Sequence, residues 1–339
     1  MKRLVYLGYY VRKMNWPVLR RFMRHTREQY GISHARQMFS FTWDSLRYNI
    51  SPLEWYQFGF PSLSPQEKST WAGTGTMYEF QLKVNPPVER QVLNDKREFY
   101  KAYREFCLHG LWTLDELRED PVLVERVLAG HDKLVFKEST GNCGLSVRIV
   151  PTDKLSASSL TRWMRQNGYD MVESYIEQHP DLQALSPSGV NTVRIFTLLD
   201  RQGGYHVLGC RLRISVDSPV DNMAAGNLAA PVDEATGKVS GPGVYSDITR
   251  EPESVHPVTG VAIEGFQLPF WPETLDLVKR ASLHHPRNRS IGWDVAVTAN
   301  GPGLIEGNHD WCKLVWQLPE RRGLKSLLSM EAAGHRNRM

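Results

Sequence analysis

The stretch GWDVAVTANGPGLIEGNHDW, residues 292–311, reads as two apolar strands joined at the turn NGPG. Asp294 sits on the first strand, and Glu306 and Asn308 sit on the second. Side chains two apart on a strand share a face, so Glu306 and Asn308 project together, with Asp294 across the hairpin. Two carboxylates and an amide oxygen are hard oxygen donors of the kind Mg²⁺ takes, with a substrate's phosphate oxygens completing the shell. The competing reading of this segment alone is a solvated hairpin that carries two acids.

Outward from this hairpin, strands and helices alternate without a regular βαβ rhythm. Residues 272–285 (PETLDLVKRASLHH) predict a helix, and NTVRIFTLL (191–199) and YHVLGCRLRIS (205–215) predict strands. AAPVDEATGKVS (229–240) reads as a hairpin whose TGK turn has the small polar residues a tight turn needs. Further upstream, KLVFKES (133–139) and LSVRIV (145–150) flank the loop TGNCG (140–144), and a helix over Ser156–Gln166 precedes the strand DMVESYI (170–176). HPDLQALSPSG (179–189) reads as a loop. Two helices are expected near Asp95–Cys107 and Leu114–Leu128, broken at Gly110. Residues 1–90 look mostly helical, and the last fifteen residues look frayed. The fold class is therefore α+β, with antiparallel sheets carrying helices on one face.

Several chemistries are disfavoured. No GxGxxG follows a first strand, GxxxxGK[ST] is missing, and so is GxSxG. The cysteines Cys107, Cys143, Cys210 and Cys312 form no CxxC pair. They read as free thiols of a reducing cytoplasm, and Cys143 as a small loop residue rather than a nucleophile. There is no run of 18 apolar residues, so no membrane-spanning helix is expected. The opening MKRLVYLGYYVRK faintly resembles a secretion signal, but its short apolar stretch ends in Arg12-Lys13, and it reads as a folded segment. With 41% hydrophobic and 10% aromatic residues, the chain has ample material for a core, and a net charge of +4 argues against disorder.

Charge is uneven. Residues 1–60 hold ten Lys/Arg against three Asp/Glu, a net of +7, and the remainder nets −3. Within this segment, MNWPVLRRFMRHTREQYG (14–31) reads as an amphipathic helix with Val18, Phe22 and the methionines on one face and arginines on the other. The plain reading is a solvated helix packed on the main domain. The sharper one is peripheral contact with an anionic lipid surface or a lipid-linked substrate. Nucleic acid has no support from a zinc finger, RNP motif or KH loop.

Three further segments carry chemistry. Lys137 follows three apolar residues in VFKESTGNCGLSV (135–147), and Gly141 and Gly144 let backbone N–H groups approach phosphate oxygens closely. Glu173 ends the apolar part of MVESYIEQHP (171–180). The chain over Tyr175 and Ile176 can present backbone groups to an adenine edge, with Glu177 near the ribose hydroxyls. Lys96 opens a helix in NDKREFY (94–100). For each lysine the plain alternative is an ordinary surface residue.

The order Lys96, Lys137 with its glycine loop, Glu173, then Asp294, Glu306 and Asn308 resembles the ATP-grasp superfamily over roughly residues 90–312. The segments SPSGVNTVRIFTL, VDNMAAGNLAAPVD, HPVTG and GWDVAVTANGPGLIEGN resemble its sugar-transfer-associated group, related to α-L-glutamate ligases. LRYNISPLEWYQF (46–58) resembles that group's N-terminal part. The resemblance implies two α+β subdomains gripping ATP between antiparallel sheets. In these terms residues 1–90 form the basic, aromatic-rich helical region. Residues 91–180 form the first subdomain, 181–325 the second with the metal site and acceptor cleft, and 326–339 a polar tail.

The resemblance further implies that Lys96 and Lys137 hold ATP phosphates and that the loop from Ser139, with Gly141 and Gly144, closes over them. Glu173, Tyr175, Ile176 and Glu177 would form the adenine hinge, and Asp294, Glu306 and Asn308 the magnesium site. The implied activity is an ATP- and Mg²⁺-dependent carboxylate–amine ligase acting through an acyl phosphate. Its partners would be a carboxylate donor and a sugar, glycan-type or amino-acid acceptor. An ATP-grasp kinase acting on a hydroxyl, and a non-catalytic nucleotide-binding protein of a glycan pathway, are the alternatives. Two positions depart from the wider pattern. Glu138 follows Lys137 where many members have proline, and Trp293 precedes Asp294 where D-alanine ligases carry an arginine. Arg194, Arg211 and Arg213 are candidates to replace that arginine, with Arg194 and Arg213 assigned as catalytic. Asp221 and Asn222 are expected in the same cleft. His256 is expected to cap a turn, and His284 and His285 to end a helix with no catalytic role.

Overall fold

The computed structural model describes residues 2–140 and 147–332. Gly141, Cys143 and Gly144 lie outside the described residues.

Two antiparallel sheets organise the described chain. The first contains β1 (Leu111–Thr113), β2 (Lys133–Lys137), β3 (Arg148–Pro151) and β4 (Met171–Ser174), in the order β1-β4-β2-β3. The second contains β5 (Val193–Leu199), β6 (Tyr205–Ile214), β7 (Leu228–Val232), β8 (Ser290–Thr298) and β9 (Gly301–Asn308), in the order β7-β6-β5-β8-β9. Together with the helices, this is the expected α+β architecture.

β5 is the middle strand of the second sheet, and all of its residues are buried. Its alternation sends the two faces to different cores. Val193 and Ile195 join Leu212, Trp293 and Val295 under the helix Trp271–His284, which buries Leu277, Val278 and Ala281 against them. Phe196 and Leu198 join Trp311, Trp316 and side chains of the N-terminal helices, among them Phe22, Trp55 and Phe80. The polar stripe carrying the site lies on this second face.

The β8–β9 hairpin turns at Ala299-Asn300, where Gly301 (φ 117°) pairs with Thr298. A bulge then shifts the register. Asp294 lies opposite Glu306, but Val295 lies opposite Leu304, which leaves Ile305 as the extra residue. Strict alternation would put Leu304 and Glu306 on one face. The bulge lets Leu304 enter the core beside Val295 while Glu306 faces Asp294.

Residues 2–84 are largely helical, with helices Lys2–Arg12, Trp16–Tyr30, His34–Tyr48, Pro52–Gln57 and Thr74–Val84. Asn15 and Ser33 cap the second and third, and Ser51 with Glu54 forms a capping box on the fourth. The amphipathic helix buries Leu19, Phe22 and Thr26, with Val18 and Met23 packed alongside.

Several boundaries differ from the sequence reading. The helix expected over Leu114–Leu128 is two helices, Leu114–Glu119 and Pro121–Ala129, because Pro121 has no N–H to continue the first. Asp120 caps the second by accepting from Val122 and Leu123 N–H. The helix near Asp95–Cys107 ends at Ala102, and the helix over Ser156–Gln166 starts at Leu160. The expected loop at HPDLQALSPSG contains a helix, Pro180–Leu185, held by buried Leu182 and Leu185. β1 was too short to show a period. The expected frayed tail is ordered over Lys325–Ala332, where Leu328 and Glu331 are buried.

Candidate active site

Three strands of the second sheet place the charged stripe in register. Arg194 on β5 lies directly opposite Asp294 on β8, which lies directly opposite Glu306 on β9. Arg194 donates to Asp294 from Nε and, at 2.7 Å, from Nη2, a forked pair on one carboxylate. Arg213 on β6 donates from Nη1 to Asp294 Oδ2 at 2.9 Å and from Nη2 to Asp221 Oδ1 at 2.7 Å. Asp221 in turn accepts from Thr192 N at 2.8 Å and from the Thr192 hydroxyl. Arg194, Arg213, Asp221 and Asp294 are all buried.

Burial alone would raise the pKa of Asp294, but Arg194 and Arg213 outweigh it and hold this carboxyl well below the usual range. Glu306 behaves oppositely. Burial, then the Asp294 carboxylate facing it, pushes its pKa up. Asn308 donates from Nδ2 to Glu306 Oε1 at 3.1 Å, so the carboxamide is oriented beside the acid pair.

The donor chemistry fits a magnesium ion. The Asp294 carboxylate raises the proton affinity of Glu306 opposite it, a charge conflict that a cation relieves, and Asn308 adds an amide oxygen. Among the described residues, no three His, Cys, Asp or Glu side chains converge as a complete metal cage. An ion held by Asp294, Glu306 and Asn308 would therefore need ligands from elsewhere, such as phosphate oxygens.

The first sheet gathers the other set. Lys137 at the end of β2 donates to the Glu173 carboxylate on the neighbouring strand β4. His109 lies on the other side of Glu173, with Nε2 3.9 Å from Oε1. Burial would raise the Glu173 pKa, but Lys137, His109 and Lys96 outweigh it and hold the carboxyl below its ordinary value. Lys96 N donates to Ser139 O at 3.2 Å, which ties the start of the helix Lys96–Ala102 to the segment after β2. Ser139 is fixed further by Asp170, whose carboxylate accepts from Ser139 N at 2.7 Å and from its hydroxyl at 2.5 Å. Past β4 the chain continues through half-buried Tyr175 and Ile176 to exposed Glu177, and the Lys133 ammonium lies 3.7 Å from the Tyr175 ring centroid.

One helix joins the two sets. Lys96–Ala102 packs against both β1 and β9. A Cβ at Gly307 would come within 3.1 Å of Phe99, so glycine allows this close approach. Just past Asn308, His309 Nε2 lies 2.8 Å from Asn94 Oδ1, two residues before Lys96. The two lysines and Glu173 are thus linked to the end of the acidic hairpin.

Some expected residues lie elsewhere. Arg211 turns away from Asp294; its Nε and Nη2 donate to Trp316 O at 3.0 and 2.6 Å, and Nη1 approaches Glu320 at 3.0 Å. Asn222 caps a short turn by accepting from Ala224 N at 3.0 Å, so only Asp221 of that pair joins the cluster. His256 caps its turn, with Nδ1 accepting from Val258 N at 3.3 Å and Thr259 N at 3.2 Å.

Other residues had no sequence signal. His109 and Asp170 lie just before β1 and β4, outside any motif. Glu54, which caps the helix Pro52–Gln57 with Ser51, is buried and also accepts from the Thr74 hydroxyl at 2.6 Å and Lys313 Nζ at 2.9 Å. This pair fastens the N-terminal helices just beyond the acidic hairpin.

The sequence profile of the family described as sugar-transfer associated ATP-grasp matches residues 76–332, well over half of the chain. The chain belongs to the sugar-transfer associated ATP-grasp family. No curated protein matches this ATP-grasp chain. Among solved structures, biotin carboxylase from Campylobacter jejuni in a β,γ-ATP complex is similar, with 11% identity and a TM-score of 0.48. The match covers 75% of this chain and 50% of that one. A RimK domain ATP-grasp protein from Sphaerobacter thermophilus is similar at 12% identity and a TM-score of 0.40, covering 73% of this chain and 70% of the other. D-cycloserine synthetase is similar at 11% identity and a TM-score of 0.40, covering 82% of each chain. This ATP-grasp chain thus spans half the length of the biotin carboxylase it matches.

Proposed function

We propose that this ATP-grasp protein is an ATP- and Mg²⁺-dependent carboxylate–amine ligase. The observation that carries the reading is the run Arg194–Asp294–Glu306 across three neighbouring strands, with Arg213 on the same aspartate. It puts two buried guanidiniums beside a pair of carboxylates, a combination suited to holding anionic groups next to a metal-bound phosphate.

In this reading Lys96 and Lys137 offset charge on the nucleotide's phosphates, and the hinge over Glu173, Tyr175, Ile176 and Glu177 holds the adenosine. Exclusion of water from the phosphates would protect an acyl phosphate from hydrolysis. Asp294, Glu306 and Asn308 hold magnesium, which when bound neutralises charge on the phosphate oxygens. Arg194 and Arg213 orient the carboxylate donor toward the γ-phosphoryl group. The carboxylate oxygen attacks that phosphorus, the bond to the β-bridging oxygen breaks, and ADP leaves. The acceptor amine then attacks the acyl carbon, loses a proton and expels inorganic phosphate. The chain's task is alignment and charge neutralisation more than covalent chemistry. The carboxylate is a small-molecule acid, and the acceptor a sugar, glycan precursor or amino acid.

The test is ADP release screened against amino acids and sugar acids, followed by mass spectrometry of the product. A product whose mass equals condensation of donor and acceptor supports the ligase. A gain of one phosphoryl group on a hydroxyl selects a kinase instead, and nucleotide binding without turnover in every mixture selects a non-catalytic role.

A further inference from the structure

We propose that the outer surface of the first three helices docks this protein on an anionic lipid surface. The helix Lys2–Arg12 is fixed to the body from one side. Tyr10 is buried, and Arg3 donates to the carbonyls of Leu46 and Arg47, each at 2.7 Å. Its opposite side carries Leu4, Val5, Gly8, Tyr9 and Val11, all exposed. Residues 4, 8 and 11 fall on one stripe of a helix, and 5 and 9 on the next. Water therefore meets an apolar helix face where a solvated helix would show charge. The helix His34–Tyr48, which the first helix packs against, repeats the pattern, with Phe39 75% exposed and Trp43 58% exposed four residues apart. A cleft of about 560 Å³, lined by Val5, Tyr6, Tyr78, Glu79 and Leu82, adjoins the first helix and adds further exposed apolar groups.

The charge on these helices selects the occupant. Residues 3–47 expose nine Lys and Arg side chains, among them Arg12, Lys13, Arg20, Arg24, Arg27 and Arg36. The only acids in that span are Glu28 and Asp44, and Asp44 is buried, paired with Lys68 at 2.8 Å. A second copy would set like charges face to face, which disfavours a self-association surface. A nucleic acid would engage the arginines but leave Leu4, Val5, Val11 and Phe39 in water. An anionic lipid interface takes both: headgroups pair with the arginines, and apolar and aromatic side chains enter the headgroup–acyl boundary. Among the described residues, no helix is long and apolar enough to cross a membrane, so the contact is peripheral. It stands on surface residues outside the nucleotide site and does not depend on the ligase reading.

The test is flotation of the full chain with phosphatidylcholine vesicles, with and without phosphatidylglycerol, at low and high salt. The wild type is expected to float with the anionic vesicles only, and less at high salt. Leu4→Glu combined with Val11→Glu, and separately Arg12→Glu combined with Lys13→Glu, should weaken partitioning about tenfold or more. These positions are exposed, so thermal melting should match the wild type and show that the fold is kept. The proposal is overturned if the wild type ignores anionic vesicles at low salt, or if both paired variants float as well as it does. Binding of an RNA or DNA duplex without vesicle binding overturns it in favour of nucleic acid. A dimer in sedimentation velocity that Leu4→Glu with Val11→Glu dissolves, again without vesicle binding, overturns it in favour of self-association.

Discussion

Arg194 and Asp294 stand directly opposite each other on β5 and β8, and the arginine grips the carboxylate with two nitrogens of its fork. Both side chains are buried, and Arg213 supplies a third donor to the same carboxylate. Removing Arg194 breaks the forked pair and leaves the buried Asp294 carboxylate with Arg213 as its one guanidinium partner. Arg194→Ala is therefore expected to lose about 3–5 kcal/mol of stability. Urea denaturation of Arg194→Ala, Asp294→Asn and the double variant checks this. The double variant should recover part of the loss, and strictly additive losses would mean that the pair is not coupled.

Asp294→Asn and Glu306→Gln test the metal reading. Each removes a carboxylate oxygen from the facing pair, so magnesium-dependent ADP release is expected to fall by roughly a hundredfold or more. Titrating magnesium at saturating ATP should show a weaker apparent affinity in both. Near-normal turnover in both variants refutes the metal assignment.

Lys137→Met should act on nucleotide binding and on the stability of the first sheet together. The Glu173 carboxylate would be left buried without the ammonium that most lowers its pKa. The expected loss is about 3 kcal/mol in stability, together with an ATP affinity weakened by about tenfold or more. Glu173→Gln in the same background should restore stability but not ATP affinity. Fluorescence titration with a nucleotide analogue, read beside a thermal melt, separates the two effects.

The Glu54–Lys313 pair predicts a pH window. Burial opposes the charge on Glu54, but Lys313 and the Thr74 and Ser51 donors prevail and lower its pKa. Its contribution is complete above the usual carboxylate value, about 4.3, and is lost as pH falls through the lowered folded value. Burial likewise opposes the charge on Lys313, but Glu54 prevails and raises its pKa. That contribution is complete below the usual lysine value, about 10.4, and is lost as pH rises through the raised folded value. Melting temperature measured across pH should show Glu54→Gln less stable than wild type throughout the neutral range. The gap should narrow toward both extremes. A gap that does not change with pH would show that the pair contributes packing only.

The hairpin carrying Asp294, Glu306 and Asn308 was legible because a strand's two-residue period is local. The spacing already states that Glu306 and Asn308 share a face, whereas the turn lies at Ala299-Asn300 rather than over NGPG, and the bulge at Ile305 is what sets Glu306 opposite Asp294. The same holds for β5, where NTVRIFTLL separates Arg194 and Phe196 from Val193 and Ile195, as the two cores confirm. The break at Pro121 and the helix inside HPDLQALSPSG were missed for opposite reasons. In the first case a local breaker was passed over. In the second, a short helix stands on the burial of Leu182 and Leu185, which no six-residue window reveals.

The chain's order of residues fixed its class, the acidic hairpin, the lysine before the glycine loop and the basic, aromatic start, since each depends on neighbours a few positions apart. Tertiary structure alone decided that Arg194 and Arg213 both close on Asp294, while Arg211, which leaves β6 on the same side as Arg213, meets Trp316 and Glu320. It also decided that His109 flanks Glu173 and that Glu54 reaches Lys313. These partners are far apart in sequence, 81 residues for Arg213 and Asp294. What brings them together is the burial of charge, which must find an opposite charge wherever the packed sheets and helices place one.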